Sequence, residues 1–117
     1  MAKIEKLIKD AQSHLEAGER IITAIMGAYE IKIAKNDSVR KGILLATDHG
    51  LVFFAKNLTG HYLEVFPYSI IRSLEIGKTL MGHHISFIAS DNRVSMKWIN
   101  AGDVQHFVQV VKKRIVK

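Results

Sequence analysis

The sequence predicts an α+β fold, in which a bent antiparallel sheet or split barrel of seven strands is capped by a C-terminal helix and preceded by an N-terminal helix. Seven short runs of β-type residues are separated by polar or glycine-containing turns. Apolar residues at helical spacing occur at the two ends of the chain. Gly27 interrupts the longest β-type run, which indicates the bulge or bend that a strongly curved sheet needs.

The two ends of the chain carry amphipathic helix patterns. The first covers residues 3–17, and Gly18 stands where a left-handed cap would end the helix. The second begins near a capping arrangement of Asn100 and Asp103 and ends in basic residues that complement the helix dipole. The apolar positions are Ile4, Leu7, Ile8, Ala11 and Leu15 in the first helix and Val104, Phe107, Val108, Val111 and Ile115 in the second. The first apolar face needs cover, either from the sheet of the same chain, which we favour, or from a second copy.

The strands follow one another between the helices. Residues 20–33 alternate with period two and predict a long strand, and the polar residues 34–39 predict a turn. Residues 40–56 form the clearest hairpin, with two apolar runs around Asp48, His49 and Gly50.

The second half of the sheet begins after a strand over residues 62–66, which Pro67 ends because proline lacks the ladder donor. A bend or single helical turn is predicted over 68–71, and further strands over 73–79, 84–89 and 94–98. In the last strand we predict Val94, Met96 and Trp98 on one face, with Ser95 and Lys97 facing out.

Length and composition restrict the class of protein and its location. A chain of 117 residues, 48% of them hydrophobic, suits one folded domain with a real core. The absence of cysteine excludes disulfides and thiolate metal sites. The N-terminus lacks the unbroken apolar core of a signal peptide, and no apolar run reaches the roughly 20 residues that span a bilayer. We therefore expect a cytoplasmic protein whose contact with a membrane, if any, is peripheral, divided into a helix over residues 1–18 and a domain over 19–117.

No residue pattern indicates catalysis or a metal. The serines occur in no nucleophile elbow, and the glycines form no phosphate-binding loop. The adjacent His83 and His84 would point to opposite faces of a strand, and the other histidines lack metal-ligand spacing. We expect no enzyme activity, no metal and no cofactor.

Several motifs resemble a known family. They are the run Gly18-Glu19-Arg20-Ile21-Ile22, the hairpin residues Gly42-Ile43-Leu44-Leu45-Ala46-Thr47-Asp48 with Leu51-Val52-Phe53-Phe54, and Phe66-Pro67-Tyr68 followed by Ile70, Ile71 and Leu74. These residues look like the bacterial pleckstrin-homology-like (PH-like) domains of the YokE-like type, over about residues 18–117. The resemblance implies a barrel that the C-terminal helix plugs at one end, and a non-enzymatic domain of a bacterium or phage.

The expected function is therefore that of a non-catalytic binding or assembly module, with a protein partner or self-association favoured. The net charge of +6 is common for a soluble domain but also suits anionic partners. Eukaryotic PH domains bind phosphoinositides through basic residues of the first two strands and their loop. The corresponding candidates for an anionic lipid headgroup are Lys32, Lys35, Arg40 and Lys41, although Asp37 in the same loop would repel phosphate.

Nucleic acid is the last alternative. The basic run at Lys112, Lys113, Arg114 and Lys117 would contact phosphates, and Tyr62 and Phe66 are the aromatic candidates for an exposed stacking surface. We rank this alternative below both protein and lipid.

Overall fold

The computed structural model describes residues 3–33, 36–57, 60–80 and 82–115. The elements are α1 Lys3–Gln12, β1 Ile21–Ile33, β2 Asn36–Thr47, β3 Gly50–Asn57, β4 Gly60–Pro67, a 3-10 turn Tyr68–Ile70, β5 Ile71–Thr79, β6 Gly82–Ala89, β7 Asn92–Ala101 and α2 Val104–Arg114. The seven strands form one antiparallel sheet in the order β4-β3-β2-β1-β7-β6-β5. Consecutive strands pair except β4 and β5, which lie at the two edges, and the pairing of β1 with β7 joins the two halves. The predicted fold class is confirmed, including the helical turn after Pro67. Neither helix in the described part of the chain is long and apolar enough to span a membrane.

The main core lies inside the bent sheet, where α2 closes it. Phe107 and Val111 of α2 are fully buried in this core, and the rings of Tyr29 and Phe53 stack with centroids 3.7 Å apart. Asp103 caps α2, because its side chain accepts a hydrogen bond from the His106 amide at 3.0 Å. The predicted role of Asn100 in this cap is wrong, since Asn100 still belongs to β7.

A second apolar cluster lies on the outer face of the sheet under α1. Ala11 is fully buried there against residues of β1, β2 and β3, so the apolar face of α1 is covered within the chain. The predicted helix over residues 3–17 is too long, since α1 ends at Gln12. The Ser13 hydroxyl donates to the Asp10 carbonyl, and Leu15 reaches the same cluster from a turn. Gly18 has a positive φ of 85° but follows that turn rather than capping the helix.

The first hairpin is longer than predicted. Residues 34–39 are predicted as a turn, yet β2 begins at Asn36, and its ladder with β1 runs unbroken from Gly27↔Gly42 to Ile33↔Asn36. Backbone pairing outweighs the turn-like composition of this segment. Ala34 and Lys35 lie outside the described residues.

A bulge in β7 changes the direction of Trp98. Ala28 pairs with Lys97 and Met26 with Ala101, so Gly27 alone faces residues 98–100. Trp98 adopts a positive φ of 53° and is 50% exposed, while Ile99 returns to the core. The prediction that Trp98 shares the inner face with Val94 and Met96 is therefore wrong. The irregularity expected at Gly27 is present, but its extra residues belong to β7.

Candidate ligand groove

A groove of about 610 Å³ lies on the outer side of the sheet, between α1 and the β7 bulge. Its volume falls in the range of roughly 300–1,000 Å³ that is usual for ligand sites. We call it the outer groove and define it by the residues Lys6, Leu7, Asp10, Met26, Ala28, Lys41, Lys56 and Trp98.

Strand alternation builds the floor of the outer groove. Ala28 of β1 pairs directly with Lys41 of β2. Met26 lies two residues before Ala28 and therefore on the same face of the sheet. The floor is continuous with the apolar cluster under α1, of which Met26 and Leu7 are part. Gly42 lines the floor with backbone only, since a Cβ at this position would point to the inner face, where it would lie 2.8 Å from Phe53 Cζ and 2.9 Å from Ala55 Cβ. The result is an apolar floor with small residues at its centre.

Lysines surround this floor. The Asp10 carboxylate of α1 lies 3.3 Å from Lys56 Nζ and 3.9 Å from Lys6 Nζ, so one carboxylate is shared by two ammonium groups. Lys41 forms no ion pair with a described residue. With Lys6, Lys41 and Lys56 against Asp10, the outer groove is electropositive, and Lys41 is available to an anion.

Trp98 forms the far wall of the outer groove. Its left-handed backbone is strained for a residue with a Cβ, a state that costs on the order of 1–3 kcal/mol and is concentrated at functional sites. The Lys97 ammonium lies 5.7 Å from the centre of the indole ring and also pairs with Glu30 at 3.0 Å. The bulge thus holds a large aromatic ring in an exposed position.

The two described basic residues of the predicted anion site, Arg40 and Lys41, lie on opposite faces of the sheet. Lys41 lines the outer groove, whereas the Arg40 guanidinium lies 4.3 Å from the centre of the Tyr62 ring, toward the inner side. Lys35 and the side chain of Lys32 lie outside the described residues. A joint anion site of these four residues stays a prediction.

The inner end of the barrel near Arg40 holds a buried tyrosine network. Glu64 Oε1 accepts hydrogen bonds of 2.8 Å from both Tyr29 and Tyr62. Burial, reinforced by these bonds to Glu64, raises the pKa of Tyr29 and of Tyr62 above the usual range of tyrosine. The network keeps Glu64 satisfied inside the fold.

The aromatic stacking surface expected for nucleic acid is absent from the described part of β4. Phe66 is buried, and Tyr62 packs against the main core. Lys112, Lys113 and Arg114 are exposed in the last turn of α2, as predicted, and Lys117 lies outside the described residues. Strand alternation explains why the two aromatic rings are covered, because Tyr62 and Phe66 share the face of β4 that turns into the barrel.

A second polar cluster ties the β2–β3 turn to the segment before β1. Glu16, Glu19 and His49 bring possible ligand atoms within 4.8 Å of one another. The Glu19 carboxylate already accepts hydrogen bonds from the Thr47 hydroxyl and the Glu16 amide, which account for its position. We therefore assign this cluster a structural role.

The neighbouring turn residue Asp48 completes this link. Its Oδ1 accepts a hydrogen bond from the Arg20 amide at 3.0 Å, and its own amide donates to the Arg20 carbonyl. The hydrogen bond from the Arg20 amide is the main reason that the pKa of Asp48 is lowered. The hydrogen bonds of Asp48 thus give this motif residue a role in the fold.

Sequence reasoning found Lys41 but missed the rest of the outer groove. Lys6 and Asp10 are four residues apart on a helix, a spacing that signals a shared face. Trp98 could not be placed from local pattern, because its exposure depends on how β7 bulges over Gly27.

Comparison with known proteins identifies the family. No curated protein matches the chain. A crystal structure of the C-terminal domain of an unknown protein from Leishmania infantum superimposes with a TM-score of 0.64 over 97% of this chain and 100% of that one; at 17% identity this shows a shared fold. A bacterial PH domain family model matches residues 15–113. With most of its length matched and the barrel and capping helix in place, the chain belongs to the bacterial PH domain family.

Proposed function

We propose that this bacterial PH domain is a non-catalytic binding module that recognises a protein partner through the outer groove. Within the family, the motifs around residues 18–22 and 42–54 lead us to propose the YokE-like type. The division at residue 18 and the cytoplasmic location stay predictions.

One observation carries the proposal: Trp98 is held half exposed by a strained bulge beside an apolar floor. Tryptophan is among the residues that contribute most to binding at protein interfaces, because its large ring is rigid and amphipathic. The strained backbone persists because the surrounding sheet imposes it, and strain of this kind is concentrated at ligand sites.

Affinity capture with matched variants tests the proposal. The full chain is immobilised as wild type, Trp98→Ala or Leu80→Ala, and bound bacterial proteins are quantified. Leu80 is a suitable control because it is fully exposed in the β5–β6 turn and does not line the outer groove. We expect a partner that Leu80→Ala retains and Trp98→Ala loses by at least about tenfold, equivalent to roughly 1.4 kcal/mol. Equal capture by all three forms would contradict a groove-mediated interaction.

An anionic lipid headgroup is the second candidate, and Lys41 is the observation in its favour. Lys41 belongs to the predicted basic set and lacks a carboxylate partner among the described residues. Sedimentation with anionic vesicles at low and moderate salt compares wild type with a triple alanine variant of Lys35, Arg40 and Lys41. Binding that weakens with salt and is lost in the variant would support this candidate.

Self-association is the other form of protein recognition that the sequence leaves open. Light scattering of the full chain over a range of concentrations measures it directly. A dimer that Trp98→Ala dissociates would identify a second copy as the partner in the outer groove, and a concentration-independent monomer would exclude it.

A further inference from the structure

We infer that the ligand of the outer groove is an acidic segment of a partner protein. Asp10 belongs to the same chain as the groove and competes with one carboxylate of this segment for Lys56. This inference rests on the proposed function and adds the chemistry of the partner. An apolar or aromatic side chain of the segment packs on Met26, Ala28 and Trp98. The carboxylates of the same segment pair with Lys41 and with Lys56.

The charges of the groove select an acidic partner. Three lysines and a single carboxylate line it, so a basic segment would meet repulsion and an acidic one would be attracted. Lys41 enters this interaction without first breaking an ion pair with a described residue. Charge complementarity therefore favours a segment that carries aspartate or glutamate.

The basic residues of the outer groove are separate point charges. A lysine ammonium acts as a single point charge, whereas the arginine guanidinium binds carboxylate and phosphate alike through two parallel hydrogen bonds. The nearest arginine of the predicted basic set, Arg40, is stacked on Tyr62 toward the inner side of the sheet. The outer groove thus offers separate ammonium groups, which suit carboxylates spaced along a peptide.

Asp10 shows where one such carboxylate fits. Its Oδ2 lies 3.3 Å from Lys56 Nζ and 3.9 Å from Lys6 Nζ at the α1 side of the groove. The Asp10 side chain is 29% exposed and its lysine partners are exposed, so solvent weakens these ion pairs and a ligand of the same chemistry can displace the carboxylate. Removing its charge would free both lysines while leaving the apolar contacts of α1 in place.

The apolar part of the groove demands a second feature of the ligand. Leu7, Met26 and Ala28 offer no strong hydrogen-bonding side chain, and Trp98 presents half of its surface to solvent. A purely polyanionic chain would leave the apolar floor and the Trp98 ring in contact with water. An aromatic or aliphatic side chain next to the acidic residues covers it and gains the hydrophobic free energy of burial.

A random peptide display library tests the inference on the full chain. Peptides are selected on the wild-type protein, and their affinities are measured by isothermal titration calorimetry, which does not require Trp98, the single tryptophan of the chain. Titrations are repeated with Lys41→Glu, Asp10→Asn, Trp98→Ala and Lys113→Glu. Lys113 is the control for charge reversal, because it is exposed on α2 at the end of the barrel rather than on the outer groove.

The expected peptides are enriched in aspartate or glutamate next to a large apolar residue. Lys41→Glu lowers their affinity by about tenfold or more, Lys113→Glu leaves it within about twofold, and raising the salt concentration weakens binding. Asp10→Asn raises the affinity by roughly threefold or more, because the internal competitor is gone. Thermal unfolding of each variant confirms that it is folded before its affinity is interpreted.

The outcomes separate the two proposals. Selected peptides that are neutral or basic, or that bind Lys41→Glu and Asp10→Asn as they bind wild type, overturn the acidic-segment inference. If such peptides still lose binding in Trp98→Ala, the proposed groove function stands without it. Acidic peptides that bind Trp98→Ala unchanged, or a selection that yields no binder, overturn both.

Discussion

Thr47 Oγ1 lies 2.6 Å from Glu19 Oε2, and this hydrogen bond joins the central hairpin to the segment that leads into β1. Thr47 is fully buried, and the Glu19 side chain is only 6% exposed. The same hydroxyl accepts hydrogen bonds from the amides of His49 and Gly50, so it also organises the β2–β3 turn. One side chain therefore holds two parts of the chain that are distant in sequence.

Replacing Thr47 by valine should be strongly destabilising. Valine keeps the shape but leaves two turn amides and the Glu19 carboxylate without the hydroxyl, so we expect a loss of about 2–4 kcal/mol in the free energy of unfolding. Urea denaturation measures it. Thr47→Ser is the control, since it restores the hydroxyl and should lose about 1 kcal/mol. Equal stability of the two variants would show that the hydrogen bonds contribute little.

Gly27 should resist substitution because the β7 bulge packs directly on it. A Cβ at this position would lie 2.7 Å from the Lys97 carbonyl oxygen and 3.2 Å from Ile99 Cα. Backbone atoms must move to admit it, so we expect Gly27→Ala to cost about 2 kcal/mol or more and to alter the fluorescence of Trp98. Gly60→Ala, where no atom lies within 4 Å of the added Cβ, is the control. Unchanged fluorescence in Gly27→Ala would separate Gly27 from the placement of Trp98.

The docking of α1 can be tested at Ala11. This residue is fully buried on the outer face of the sheet, whereas the next residue, Gln12, is exposed. Ala11→Glu places a carboxylate in an apolar cluster and should cost about 3 kcal/mol or more, while Gln12→Glu should stay within about 0.5 kcal/mol. Urea denaturation gives both values.

Light scattering of a chain that begins at Glu19 extends this test to the predicted division of the chain. Removal of α1 uncovers Ile43, Leu45 and Phe54, so we expect the shortened chain to aggregate. A monodisperse, stable fragment would instead support residues 19–117 as an independent domain.

High pH should unfold the protein, because its tyrosines ionise more readily in the unfolded chain than in the folded one. Burial raises the pKa of Tyr68 to about 12, and burial with hydrogen bonding to Glu64 raises the pKa of Tyr29 and Tyr62. In the unfolded chain tyrosine ionises near a pH of about 10. Above that pH the unfolded chain binds fewer protons than the folded one, so the free energy of unfolding falls as the pH rises toward 12.

Parallel titrations by tyrosinate absorbance and circular dichroism check this expectation. The two signals should change together above a pH of about 10, because ionisation accompanies unfolding. Ionisation of tyrosine near this pH with the circular dichroism unchanged would contradict the burial of these side chains.

Much of the fold follows from local pattern in the sequence, while the candidate site follows from packing. Period-two alternation and turn residues were enough to place the β2–β3 hairpin and Pro67, because those signals act over a few residues. The direction of Trp98 depends on a residue of β1 about seventy positions away, namely Gly27. The length of α1 depends on Leu15 packing from a turn, which a helical repeat does not reveal. The groove lies where these two non-local effects meet.

The order of the strands has a consequence for how the chain folds. Five of the six described strand pairs join neighbours along the chain, and only β1 with β7 joins its two halves. Hairpins of neighbouring strands close short loops at small entropic cost, whereas the β1–β7 ladder closes a loop of most of the domain. We expect two partly formed meanders to precede this closure. The bulge at Trp98 lies in that ladder, so the outer groove is completed at the step that completes the barrel.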